Sequence, residues 1–321
     1  MANYKDIHGS HIETVSSDPS NPINGQVWYN STSQVLKGFT SNPAGSWASG
    51  GDMNTARQIV AGAGTQTAGL VYGGNVPNTA LNESYNGSAW TEEADLNTAR
   101  RAYAGAGTST AALLVSGHTD GPGADTAVVE SWNGSGWTEV GDVNTARRSA
   151  SGTKGSNTSA LAFAGTGNLA INESWNGTSW TEAADLNTGR TGPGGAGASN
   201  TSGLCVSGNS GSYTAVVESW DGTSWTEVAD LNTARDNYTG TGTATAAVVM
   251  GGNTPSLTAV TESWNGTSWT EIADLSTARN GHASAGTNAS ALAAGGATPP
   301  VVATSEELTT PTETTVTFTA S

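Results

Sequence analysis

The chain has 321 residues, 27 of them acidic and 11 basic, for a net charge of −16. No basic stripe is available to neutralise phosphates, which argues against nucleic acid as a partner, and no apolar run reaches the ~20 residues of a membrane-spanning helix. The only cysteine, Cys205, cannot form an intrachain disulfide and, in the apolar run Gly203–Val206, reads as a small core residue rather than a nucleophile.

In chain order, residues 1–25 are polar and turn-rich, with Ser17-Asp-Pro-Ser-Asn-Pro22 before the first β-formers. They read as an arm without a core of its own. The start, Met1-Ala-Asn-Tyr-Lys-Asp, lacks the apolar segment of a signal peptide, so the expectation is synthesis in the cytoplasm without secretory export. Gly25–Gly38 predicts a hairpin turning near Asn30–Ser33, and Gly45–Gly50 a further strand around Trp47.

From there one phrase recurs. An aromatic sits five residues before a second Trp at Tyr85/Trp90, Trp132/Trp137, Trp175/Trp180, Trp220/Trp225 and Trp264/Trp269. These ten aromatics read as one structural repeat, supplying the buried bulk that the many small residues cannot. A Thr-Ala-Arg or Thr-Gly-Arg ending falls at Arg57, Arg100, Arg147, Arg190, Arg235 and Arg279, at intervals of 43, 47, 43, 45 and 44 residues. Length alone suggests two domains, but a period in the 40s without helical patterning predicts an all-β propeller whose blades close into one body. Each unit opens on a strand of very small residues such as Ala61-Gly-Ala-Gly-Thr65, suited to the crowded inner edge. An apolar strand follows, then the Glu-Ser-Trp strand, an Asn-Gly or Asp-Gly turn and the second Trp. Adjacent valines predict sheets buried on both faces.

Six four-stranded units span about 58–96, 101–143, 148–186, 191–231, 236–275 and 280–320, within a propeller drawn as 26–321. In the last, Ser305-Glu-Glu-Leu308 replaces the Trp phrase and Thr314–Thr319 offers an outer strand. The strands within 26–50 are then surplus. Either the Trp47 strand closes a ring of six, the favoured count, or 26–50 contributes to a seventh blade.

A Gly-Gly at the end of the second strand, then an aromatic, a Trp and an Arg after a polar turn, resembles the Kelch repeat over about 58–296, with the doublet reduced to Ser116-Gly117, Ser207-Gly208 and Gly165-Thr-Gly167. That resemblance implies a Kelch-like propeller. Separately, Asp18–Gly38 followed by Gly45-Ser-Trp47 resembles a segment of bacteriophage virion proteins of the tail-fibre and head-fibre types. It implies a particle component, made in the host cytoplasm and located on the virion, that contacts other virion proteins through residues 1–25.

The recurring Glu83, Glu130, Glu173, Glu218 and Glu262 come once per repeat, as the arginines do, and share a face with the Trp, which predicts inter-blade ion pairs with Arg57, Arg100, Arg147, Arg190, Arg235 and Arg279; solvated edge charges are the competing reading. Glu92, Glu139, Glu182, Glu227 and Glu271, with Asp95, Asp142, Asp185, Asp230 and Asp274, lack calcium-loop spacing and read as an acidic rim. Of four histidines, His8 and His11 fall in the arm, and His118 with Asp120 occupies the longest inter-strand loop, a candidate ligand contact. No Ser/His/Asp or Cys/His metal pattern is legible. The expectation is therefore a non-enzymatic module without cofactor or metal. Its loops 74–81, 118–126 and 252–258 would meet a host-surface glycan or protein, with homo-oligomers on a symmetric particle as a corollary. These loops carry no aromatic for sugar stacking. A cellular or extracellular Kelch module is the alternative.

Overall fold

The computed structural model describes residues 12–20, 25–41, 45–75, 77–102, 104–120, 124–309 and 313–318. His8, His11 and most of the predicted arm lie outside them.

Each repeat folds into four strands in antiparallel order. In blade 1 these are Ala61–Thr65, Ala68–Tyr72, Asn82–Tyr85 and Trp90–Glu92. Blades 2 to 5 repeat the plan, with inner strands Gly105–Thr108, Ser151–Gly152, Gly194–Ser199 and Thr239–Thr243. Blade 6 takes Ala283–Thr287, Ser290–Ala294 and Ser305–Thr309 from the C-terminal side and Ser46–Ser49 from the N-terminal side. The six inner strands neighbour one another in sequence, and that of blade 6 returns to that of blade 1, which closes the ring.

The small inner residues are a packing requirement. A Cβ at Gly62 would lie 2.6 Å from the Ser284 carbonyl oxygen of blade 6, closer than any real side chain stands. Between blades the core is face to face. Leu70 and Tyr72 of blade 1 pack with Leu114, Trp132 and Trp137 of blade 2, all buried. The paired aromatics are direct cross-strand partners. Trp132 stands opposite Trp137 with ring centroids 5.5 Å apart, Trp175 opposite Trp180 at 5.3 Å, Trp220 opposite Trp225 at 5.4 Å and Trp264 opposite Trp269 at 5.2 Å. Second strands are buried on both faces, as in Ala247–Met250.

One expectation is refined and two change. The first concerns the aromatics, which are all buried but are not equivalent. The first Trp of a pair donates its indole N–H to the turn between the blade's first two strands: Trp132 to Ser109 O, Trp175 to Asn157 O, Trp220 to Asn200 O and Trp264 to Ala244 O, at 2.9 to 3.1 Å. The second Trp differs. Nε1 of Trp137, Trp180, Trp225 and Trp269 is buried without a hydrogen-bond partner among the described residues. The cause is where these rings sit. Trp180 shares a cluster with Leu113 and Val115, and Trp225 with Leu161 and Phe163, the apolar second strands of the preceding blades. Those positions supply packing for the ring and no acceptor for its N–H, a cost of about 1–3 kcal/mol set against the area buried. Trp90 escapes it, because its Nε1 reaches Gly51 O at 2.8 Å.

The second is at the outer strand of blade 6, which is not Thr314–Thr319: Trp47 pairs with Leu308, while Glu313–Phe318 pairs with Val35–Ser41. Third, the propeller does not begin at residue 26. The ring occupies a compact unit, Ser46–Thr309, and the described residues before and after it form a second unit. In that unit Glu13–Val15, Val27–Asn30, Val35–Ser41 and Glu313–Phe318 build one sheet, so part of the predicted arm is a strand, parallel to Val27–Asn30. Asp18 organises it. Its carboxylate accepts from Trp28 Nε1 at 3.1 Å and Asn30 Nδ2 at 2.8 Å and meets Lys37 Nζ at 2.7 Å. These bonds, that from Lys37 above all, hold its pKa down to about 2.

Candidate binding site on the axial face

The linker between blades carries the Asn-Thr-Ala-Arg phrase, and its arginine turns inward. Arg57 Nη1 meets Glu83 Oε1 at 2.5 Å, Arg147 meets Glu173 at 2.5 Å and Arg235 meets Glu262 at 3.1 Å; Arg100 pairs with Glu130 and Arg190 with Glu218 in the same way. Each pair thus joins a linker to the third strand of the blade that follows it, rather than sheet to sheet. The second carboxylate oxygen holds the linker start: Asn54 N and Nδ2 donate to Glu83 Oε2 at 2.6 and 2.9 Å, and Asn144 does the same to Glu173. Burial lowers the pKa of Arg57, Arg100 and Arg279, and the facing glutamate pulls it back up. The sixth pair is new to the sequence reading. Arg279 meets Glu306 at 2.7 Å, so the apparently degenerate Ser305-Glu-Glu-Leu308 keeps the glutamate, with Glu307 and Leu308 in place of the serine and the aromatic. The rim acids, Glu92 and Asp95 through Glu271 and Asp274, are exposed.

With its guanidinium anchored, each linker is delivered to the axis two residues later. Ile59, Ser149 and Asn237 there adopt φ of 54°, 54° and 52°, and Gly192 and Gly281 adopt 61° and 63°. A positive φ is costly for a β-branched residue such as Ile59. The turns hold one another in it: Ala102 N donates to Ile59 O, Ile59 N to Gly281 O, Gly281 N to Asn237 O, Asn237 N to Gly192 O and Gly192 N to Ser149 O, at 2.6 to 3.2 Å. Among the described residues this chain of five bonds runs from blade 2 around the axis to blade 3.

At the junction between those two blades lies a pocket of about 330 Å³, lined by Ile59, Arg101, His118, Arg148, Ser149 and Asn237. The His118 segment is pinned to the linker by paired backbone bonds between Arg101 and His118. His118 Nδ1 stands 2.7 Å from Asp125 Oδ1, and Arg148 Nη1 lies 3.1 Å from that oxygen and 3.2 Å from Nδ1. Arg101 Nη1 donates to Asn78 Oδ1 at 3.0 Å and faces the exposed Asp120 at 3.5 Å; Asn78 Nδ2 donates to His118 O at 3.0 Å. His118 and Asp120, the predicted loop contacts, are therefore placed beside two arginines that the sequence reading did not single out. A signal for them exists. The ladder arginine is followed by Gln58, Thr191, Asp236 and Asn280 in four repeats and by a second arginine only at Arg101 and Arg148.

The opposite end of the axis opens into a second cavity of about 240 Å³, lined by glycine, alanine, serine and threonine and by Lys154. Lys154 stands where the other blades carry Gly64, Gly107, Gly197, Gly242 and Gly286, and burial pushes its pKa down to about 8.

No family model matches the sequence, and no curated protein matches it. Among solved structures the chain is similar to that of YjhT, with 15% identity, a TM-score of 0.67, and coverage of 82% of this chain and 99% of that one. At that identity the likeness concerns the fold, a propeller in both.

Proposed function

We propose that the protein is a non-enzymatic, Kelch-like binding propeller of a bacteriophage particle, docked through its N-terminal residues and presenting the axial face of the ring to a partner. The observation that carries the binding role is the pocket at Arg101, His118 and Arg148. It gathers charged and amide side chains from loops of several blades onto a scaffold fixed by buried ion pairs, which is how rigid folds present recognition groups. The particle assignment draws on the resemblance of Asp18–Gly38 to virion proteins. Asp18, Trp28, Asn30 and Lys37 of that segment are bonded into one cluster within a unit separate from the ring.

The test is a pull-down from disrupted virions and from intact host cells, using the full chain and a chain lacking residues 1–25. Capture of particle proteins that requires 1–25 is the expected result. Capture of cells by both chains, with no particle protein retained by either, would instead describe a free-standing adhesin.

A further inference from the structure

We propose that the axial pocket between blades 2 and 3 binds a carboxylate-bearing saccharide unit, with Arg101 and Arg148 receiving the carboxylate; this rests on the reading of the axial face as the binding face. The distribution of cations leads to it. Of 11 basic residues, six are the buried ladder arginines. The others are Lys5, outside the described residues, Lys37, held by Asp18, Lys154 in the far cavity, and Arg101 and Arg148. In a chain of net charge −16, both arginines that are left line one pocket.

Neither is needed to hold the fold. Their side chains are 23% and 42% exposed, and ion pairs so exposed contribute about 0–1 kcal/mol. Among the described residues both guanidiniums make their bonds through Nη1 alone, to Asn78 and Asp120 for Arg101 and to Asp125 and His118 for Arg148. The acids thus orient each group by one nitrogen and leave the Nη2 and Nε edges, the fork that matches a carboxylate, to a ligand.

The neighbours select a sugar over an acidic peptide. The pocket is small and lined also by Ile59, Ser149, Asn237 and the imidazole of His118, with Asn78 bonded to Arg101 and His118 beside it, groups suited to hydroxyls at fixed positions. A peptide would be met by an open sheet edge or a long groove, whereas the inner strands here are hydrogen-bonded on their outer side and packed against the next blade on the other. The aromatic-free loops fit recognition by charge and amide rather than by stacking.

Isothermal titration of the full chain with short oligomers of galacturonate, glucuronate and mannuronate, their methyl esters and maltotriose tests this. At least one uronate should bind, and its ester should bind about tenfold more weakly or worse, since a charge-assisted bidentate contact is lost. R101Q/R148Q should lose binding by a similar factor with its thermal midpoint unchanged. D120N, which removes a carboxylate competing for Arg101, should bind a few-fold more tightly, as a merely structural Asp120 would not. No uronate binding at millimolar concentration, or equal binding of acid and ester, overturns the proposal. If R101Q/R148Q captures host cells as the unaltered chain does, the ligand assignment fails while the binding-face reading stands; only a partner footprint elsewhere on the ring removes that reading.

Discussion

A buried glutamate in this ring has two duties, one oxygen for the arginine and one for the start of the linker, and that predicts how it fails. Arg147→Gln leaves Glu173 buried without its cation and should lower stability by about 3–5 kcal/mol in denaturant unfolding. Glu182→Gln, on the exposed rim, should change it by less than about 0.5 kcal/mol. Equal effects would mean that the ladder is ornamental. The pairs were legible because a glutamate and an arginine each recur once per repeat. Which partner each takes was not, since only the fold brings a linker over the third strand of the next blade. The glutamate of blade 6 was hidden because its marker, the following Trp, is Leu308. The aromatics show the same limit: their burial follows from the repeat, but that Trp175 and Trp220 find acceptors while Trp180 and Trp225 do not depends on whether a ring reaches the first turn of its own blade or lies on the apolar second strand of the preceding one.

Two buried bases break the repeat, and their burial makes stability depend on pH. His282 stands where blade 1 has Val60; burial, with Arg279 and Arg235 nearby, pushes its pKa from 6.5 down to about 3. The unfolded chain then binds the proton more readily, so this contribution is intact above pH 6.5 and is lost as pH falls toward 3. His282→Val should flatten the acid limb of a stability-against-pH curve, and an unaltered limb would count against that assignment. Lys154 acts in the other range. Its folded pKa of about 8 against 10.5 means that its burial costs stability below pH 8 and that the cost fades toward pH 10.5. Lys154→Met should therefore raise the thermal midpoint at pH 7, with the gain shrinking above pH 8; a gain independent of pH would point to packing alone.

At the scale of elements, closure depends on one short strand. Ser46–Ser49 completes blade 6 across the ends of the ring, and Trp47 donates to the Ala273 carbonyl at 2.9 Å while packing beside Met250, Leu275 and Leu308. Trp47→Ala should lower the unfolding midpoint and expose residues 46–53 to protease before any other part of the ring, because the closing pair is the one made between distant segments. Uniform cleavage would place the weak point elsewhere. The sequence offered this strand as one of two closures, because Trp47 carries the aromatic of a fourth strand. It misassigned Thr314–Thr319 for an equally physical reason: alternating Thr and Val suits any half-exposed strand, and composition does not say which sheet it joins. The departures Ser116-Gly117 and Ser207-Gly208 prove mild. Both serines adopt the positive φ of the glycines they replace, 58° and 52°, and Ser116 Oγ is tied to Thr126 O at 2.8 Å.

For the whole molecule, near-identical repeats make a symmetric scaffold, and function is read from where symmetry is broken. The added cations cluster on blades 2 and 3: Arg101 and Arg148 at one end of the axis and Lys154 at the other. The period showed the fold, while the candidate site lay in two doubled arginines that look like noise until the linkers converge. Hydrogen exchange of the full chain, alone and mixed with host-cell envelopes or disrupted virions, tests the binding-face account most directly. The prediction is partner-dependent protection at Arg101–Ala102, His118–Asp120 and Arg148–Ser149, with the hairpin turns at Asn86, Asn133 and Asn176 on the opposite face unchanged. Protection at those turns, with the axial residues exchanging as in the free chain, would contradict it.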